Sequence, residues 1–212
     1  MNITTSVLGK LLQERNEYPA RAAEIDKNIF DTYGQTRAIF VLDMSGFSRM
    51  TIQHGIVHFL SMIHRMSTIA VPIIEGFGGD VIKLEADNIF AVFPEVDAAV
   101  NACQSITHGL SAANTMLPKE NDMRVSIGIG YGEILIVQGG DMNTEGRDLY
   151  GTEVNLASKL GEDLCECGEI LLTENAFERL NSKPDDLEII EVAISGLQLK
   201  IYKLKIATIL PC

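Results

Sequence analysis

The sequence contains no tryptophan, and only four cysteines, four histidines and six prolines among 212 residues. Cys165 and Cys167 stand too close for an easy bridge, and no histidine lies near them in sequence. Cys103, Cys165, Cys167 and Cys212 therefore read as reduced thiols, not as a secreted disulfide scaffold or a zinc site. This suits a cytoplasmic protein. His54, His58 and His64 could suggest a metal-binding helix face, but the spacing lacks the carboxylate of the HExxH arrangement. Basic residues are also scarce: 17 Lys and Arg against 29 Asp and Glu, a net charge of −12. Such a chain has no long-range attraction for a nucleic-acid polymer or an anionic membrane. It would also repel a phosphorylated ligand unless metal ions intervene. No apolar run approaches the ~20 residues that span a bilayer, and Met1 to Gln13 show neither a cationic start nor a long apolar stretch. Neither a membrane segment nor a secretory leader is expected.

What is present is a globular composition: 46% hydrophobic, 22% charged and 6% aromatic residues. The mean hydropathy of +0.14 would suit a buried subunit interface. Residues 1–35 read as a helical arm, with Leu8, Leu11 and Leu12 on one stripe and a break at Tyr18-Pro19. The short β-forming run Arg37–Leu42 predicts a buried strand. A turn at Ser45–Ser48 opens what reads as one long helix to Glu75. Asp80–Leu84 and Ile89–Phe93 form an expected hairpin around Asp87-Asn88, and a helix follows from Val96. Arg124–Ile129 and Glu133–Val137 read as two strands around a glycine-rich corner at 128–132. Helix over 152–164, strand over 169–172, a short helix and two closing strands complete the chain. The order β-α-β-β-α-β predicts an α+β, ferredoxin-like sheet with helices on one face and additional C-terminal elements, over residues 36–212.

Two aspartates carry the first chemical signal. Asp43 ends an apolar strand, and Asp87 lies in the hairpin expected beside it. If those strands are neighbours, two carboxylates converge at one sheet edge, an arrangement that holds divalent cations and suits phosphoryl transfer. A helix cap at Asp43 and an Asx turn at Asp87 would account for the same residues. The turn Ser45-Gly46-Phe47-Ser48 offers backbone N–H groups at a helix N-terminus, a ready site for phosphate oxygens.

Four segments in order, FVLDMSGFS (40–48), GGDVIKLEADNIFAVF (78–93), VSIGIGYGEIL (125–135) and DLYGTEVNLASKL (148–160), resemble the catalytic domain of class III nucleotidyl cyclases. The resemblance covers about residues 36–206. It implies a homodimer with sites at the subunit interface, where a nucleoside triphosphate closes to a 3′,5′-cyclic monophosphate and releases pyrophosphate. Carried over position by position, it makes Asp43 and Asp87 the ligands of two Mg²⁺ or Mn²⁺ ions, with the Met44 carbonyl beside them. Ser45, Gly46, Phe47 and Ser48 would cradle the triphosphate. Lys83 and Asp148 would read the base, Asn155 would orient the ribose, and Lys159 stands where the family has a transition-state arginine. Lys83 only donates and ionised Asp148 only accepts, which complements adenine N1 and its 6-amino group and mismatches guanine. Each buried mismatch costs on the order of 1–3 kcal/mol.

The expectation is therefore an adenylate cyclase acting on ATP. Cytosine shows the same acceptor and donor along that edge, which keeps a pyrimidine cyclase open as an alternative. A second alternative is a cyclase-homology dimer that binds nucleotide with little turnover. It draws on Lys159 and on Ser195, which stands where the family often has a phosphate-contacting lysine; Lys200 and Arg124 are the nearest substitutes in the sequence. Ala86 replaces the usual glycine before the second aspartate, and its methyl group is expected to be tolerated in a strand.

Overall fold

The computed structural model describes residues 6–138, 146–166, 168–184, 187–194 and 197–204. Its centre is β1 (Gly34–Met44), flanked by β3 (Asn88–Phe93) and β4 (Val125–Val137), both antiparallel to it. The hairpin partner β2 (Asp80–Glu85) forms one edge. Beyond β4 lie β6 (Ile170–Thr173), β8 (Leu197–Leu204) and β7 (Leu187–Ile194), giving the order β2-β3-β1-β4-β6-β8-β7; the short β5 (Asp148–Tyr150) pairs with the far end of β4. The β-α-β-β-α-β unit is present.

Alternation along β1 separates two cores. Ala38, Phe40, Leu42 and Met44 face one way and Ile39 and Val41 the other, all essentially inaccessible. The first face is covered by α4 (Ile56–Gly76) and α5 (Val96–Asn114), with the short α7 (Glu174–Glu178) beside them. These two long helices share a face, as the ferredoxin-like pattern requires. The additional α6 (Thr152–Lys159) closes the other face, where Val154 and Ala157 meet Ile39, Val41, Ile134 and Ile136. At the far end of β4, Val137 packs with Leu8 of α1 (Val7–Glu17) and with Ile25 and Ile29 of α2 (Ala22–Tyr33), so the arm is docked onto the sheet.

Several elements differ from the sequence reading. The long helix after Ser48 is two: α3 (Phe47–His54) and α4, separated by Gly55 at φ 85°, a left-handed backbone that ends helical hydrogen bonding. β1 extends well beyond Arg37–Leu42, because pairing with β4 runs from Gly34 to Met44. No corner exists at 128–132: β4 is one continuous strand, and its glycines serve close approach. A β-carbon on Gly128 would stand 2.0 Å from the Ala157 carbonyl oxygen, so α6 can lie on the sheet only over glycine. The hairpin turn is Ala86-Asp87, with Asn88 already paired to Glu85. Ala86 is therefore in the turn and not in a strand, at φ 53°. Finally, α4 has 21 residues and is long and apolar enough by length and composition to cross a bilayer, against the expectation of no such run. Phe59, Met62, Met66, Ala70 and Ile74, at helical spacing, bury one face of it in the core.

Candidate active site

Strand pairing places the two aspartates together. Leu42 opposes Ile89, so the C-terminal end of β1 runs beside the β2-β3 turn, and Asp43 and Asp87 meet at that edge. The Asp43 carboxyl is pushed up to about 7, first by burial and then by the charges of Asp87, Glu162 and Asp163. Glu162 and Asp163 follow α6, and Asn88 Nδ2 donates to Glu162 Oε1 at 3.1 Å, tying the hairpin to that segment. Burial and the neighbouring carboxylates Asp163, Glu85 and Asp87 also raise Glu162. Asn88 Oδ1 is buried and accepts no hydrogen bond from the described residues.

This is a cluster of carboxylates with excess negative charge, and a hard divalent cation would relieve it. Among the described residues no three Asp, Glu, His or Cys already converge on one point. Two carboxylates and the Met44 carbonyl therefore suit an ion that takes its remaining ligands from phosphate or water. Glu162 and Asp163 escaped the sequence reading because they act on Asp43 from a segment distant in the chain, and Asn88 because its partner Glu162 is 74 residues away.

The turn after Asp43 leads into α3, with one of its N–H groups already engaged. Ser45 N–H donates to the Arg124 carbonyl at 2.9 Å, and Gly46 caps α3 at φ 98°. A side chain is disfavoured at that φ, which keeps the helix start open. The side chains of Phe47 and Ser48 are outside the described ones.

Lys83 and Asp148 meet, although β2 and β4 are separated by two strands. A bulge between Val81 and Lys83 turns Lys83 to the α6 face beside Ile82. Its ammonium lies 4.6 Å from the Phe90 ring centroid. The short β5 comes back over that face, fastened by Arg147, whose guanidinium makes a bidentate pair with Asp80 of β2 (2.7 and 2.5 Å). The next residue, Asp148, then stands 3.2 Å from Lys83 Nζ, and Glu85 holds the same ammonium at 2.6 Å. Burial works against both charges. The carboxylates of Glu85 and Asp148 beside the ammonium nonetheless raise Lys83, and Leu149 N–H, the Tyr150 hydroxyl and Lys83 hold Asp148 below the usual carboxylate range. Glu85 was legible in principle: two residues from Lys83 on a strand, it must share that face.

Asn155 and Lys159, four apart on α6, both face solvent. Among the described residues Lys159 pairs with Asp163, at 3.7 Å. The helix is anchored by Glu153, 8% exposed, which accepts from Tyr131 N–H (3.2 Å), Thr173 Oγ1 (2.7 Å) and Asn175 Nδ2 (2.7 Å). Ser195 and Gly196 lie outside the described residues. Lys200 is exposed on β8, and Arg124 is paired to Asp122 at 3.5 Å.

With that geometry in hand, comparison with known proteins decides the family. The family described as adenylate and guanylate cyclase catalytic domain matches residues 31–206. The chain belongs to this family. It is 24% identical over 148 residues to the putative adenylate cyclase 3 of Rhizobium meliloti (strain 1021), covering 70% of this chain and 24% of that protein, so it spans about a quarter of that relative's length. Its fold is that of the adenylyl cyclase CyaB from P. aeruginosa (TM-score 0.67, 19% identity, 82% of this chain and 96% of that one). The guanylyl cyclase Cya2 is equally similar (TM-score 0.68, 17% identity, 80% and 91%). Proteins called adenylyl cyclase and guanylyl cyclase thus share this fold, and the fold alone does not separate them.

Proposed function

We propose that the protein is an adenylate cyclase that converts ATP to 3′,5′-cyclic AMP and pyrophosphate at a homodimer interface. The observation that carries the choice of base is the Lys83–Asp148 pair at 3.2 Å. Lys83 presents a donor for adenine N1 and Asp148 an acceptor for the 6-amino group; guanine would meet a donor with its N1–H and a carboxylate with its O6. Asp43, Asp87 and the Met44 carbonyl hold the divalent ions. When bound, these ions supply acidification of the ribose 3′-hydroxyl and neutralisation of phosphate charge. The open start of α3 directs backbone N–H groups at the phosphates. Asn155 orients the ribose, and Lys159 balances charge that grows on the α-phosphate oxygens.

A second subunit completes each site in this reading. One chain gives Asp43 and Asp87, the other Asn155 and Lys159. Ile52, Ile56, Val57 and Leu60 support it: they are 85, 48, 76 and 55% exposed and lie close in sequence after the 45–48 turn, an apolar surface that a partner would cover.

The test is incubation with Mn²⁺ or Mg²⁺ and each of the four ribonucleoside triphosphates. Cyclic AMP and pyrophosphate from ATP, and far less product from the others, is the expected result. A pyrimidine product in excess, or GTP used as well as ATP, overturns the base assignment. Mixed Asp43→Ala and Asn155→Ala proteins, each nearly inactive, should recover activity through heterodimers with one intact site; no recovery despite subunit exchange would place a whole site in each chain. One observation favours a second reading, a nucleotide-binding dimer with little turnover: Lys159 replaces a planar fork with a point charge and lies beside Asp163. Nucleotide binding without product would select it.

A further inference from the structure

Asp148 and Tyr150 flank Leu149, whose side chain is 4% exposed and packed in the α6-side core. In an extended strand the two flanking residues must then share the opposite face. The Tyr150 hydroxyl donates to Asp148 Oδ2 at 2.9 Å. The other oxygen, Oδ1, accepts from the Leu149 N–H at 2.8 Å and lies 3.2 Å from Lys83 Nζ. A carboxylate offers about four lone-pair directions, two on each oxygen. Oδ1 accepts from the Leu149 N–H and faces the Lys83 ammonium as an ion pair, and Tyr150 takes one direction on Oδ2. Among the described residues one acceptor direction on Oδ2 is left, and its orientation follows from the tyrosine.

Lys83 is complementary. Among the described residues its ammonium faces Glu85 and Asp148, which leaves one of its three N–H groups for a ligand, while the Phe90 ring lies against it. The pair therefore keeps one donor and one acceptor for a ligand only while Asp148 stays turned toward Tyr150. Rotation about χ2 of an aspartate is soft. A freed carboxylate could turn both oxygens to Lys83, and the pair would then satisfy itself.

We infer that Tyr150 is a positioning residue for base recognition: its hydroxyl fixes the Asp148 carboxylate so that a donor on the incoming base, the adenine amino group, meets the one free lone pair. This rests on the adenine-reading role proposed above for Lys83 and Asp148. It concerns recognition and not bond making, so it belongs to KM and to selectivity.

The test compares Tyr150→Phe, Asp148→Asn and the double variant, with kcat and KM measured for ATP and for GTP. Tyr150→Phe removes one half-exposed oxygen and keeps the ring. It should raise KM for ATP and lower the ATP-over-GTP ratio of kcat/KM about tenfold, the scale of one hydrogen bond to a charged group, while kcat for ATP changes less than about threefold. A ratio between two substrates is unaffected by loss of folded protein, and competitive binding of ATP and GTP reports it without turnover. In the Asp148→Asn background, Tyr150→Phe should change the ratio no further, because the tyrosine acts only through the aspartate. An unchanged ratio in Tyr150→Phe, with the ratio collapsed in Asp148→Asn, overturns the inference and leaves the adenine reading standing. An unchanged ratio in Asp148→Asn removes the adenine reading itself. Equal effects of Tyr150→Phe with and without Asp148 would give the tyrosine a direct contact and also overturn the inference.

Discussion

Gly130 leaves the space that Glu153 occupies: a β-carbon there would lie 2.8 Å from the Glu153 carbonyl oxygen and 3.0 Å from its Oε2. The buried carboxylate, with its three donors from β4, β6 and the start of α7, seats the helix that carries Asn155 and Lys159. Gly130→Ala should cost about 1–3 kcal/mol, the scale of overpacking a close contact. It should also lower kcat, because the helix must shift outward. Urea unfolding and steady-state kinetics check both. Gly128→Ala should be worse, since its β-carbon would meet backbone at 2.0 Å with no flexible atom to give way. Wild-type stability in Gly130→Ala would mean that α6 is not seated by this contact.

Which candidate residues lie together was legible where they sit in short motifs with local rules. An apolar strand ending in Asp43, and a hairpin closing at Asp87, needed only the β1-β3 pairing to bring them together. The glycines of β4 were misread because a run of glycine signals either a bend or a close approach, and only the position of α6 decides between them. The break at Gly55 was missed because α3 and α4 are both apolar on one side, so periodicity runs on across it. Lys83 reaches the face of Ile82 through a bulge, which no alternation pattern predicts. Glu153, Tyr150 and Glu162 are polar residues in helical or strand segments; their roles come from partners 22, 2 and 74 residues away.

Ala86 occupies a left-handed conformation, at φ 53°, in the two-residue turn that presents Asp87. That conformation costs an L-residue roughly 1–2 kcal/mol, and glycine would remove the cost while adding about 0.4–1 kcal/mol of unfolded-state entropy. Ala86→Gly should therefore stabilise the protein by about 0.5–1 kcal/mol, read as a higher denaturant midpoint at constant m-value. Activity should hold, since the Asp87 side chain is untouched. A clear destabilisation would show that the methyl group has favourable contacts which outweigh the strain.

Asp43 shows a conflict between stability and function. Its carboxyl is pushed up to about 7 in the fold, by burial and by Asp87, Glu162 and Asp163, from an ordinary value of 3.8. For an acid whose pKa rises on folding, the folded state holds the proton more tightly. Stability then falls as pH rises from about 4 to 7 and stays reduced above that. Asn cannot ionise. In chelator, Asp43→Asn should unfold at a higher midpoint than the parent at pH 8, with the gain shrinking as pH falls toward 4. Turnover with Mn²⁺ should be abolished, and added Mn²⁺ should stabilise the parent but not the variant. A variant less stable than the parent at pH 8, or a difference independent of pH, would show that Asp43 is not held among uncompensated carboxylates.

Lys159 is the departure with the clearest kinetic consequence. Its side chain is 45% exposed and its pairing with Asp163, at 3.7 Å and itself exposed, is too weak to hold it away from a substrate. An ammonium delivers one directional charge to the α-phosphate, whereas a guanidinium can make two parallel hydrogen bonds to the non-bridging oxygens. That second bond strengthens as charge develops, so its benefit falls on the transition state and not on binding. Lys159→Arg should raise kcat with ATP and Mn²⁺, by up to about tenfold, while KM stays within about twofold. Lys159→Ala should lower kcat by roughly 10²–10³, the scale of losing one preorganised donor. Steady-state kinetics of the three proteins, each checked for an unchanged unfolding midpoint, read both effects. If Lys159→Ala matches the parent, the lysine does not reach the phosphates, and the charge that develops there must be met by another cation.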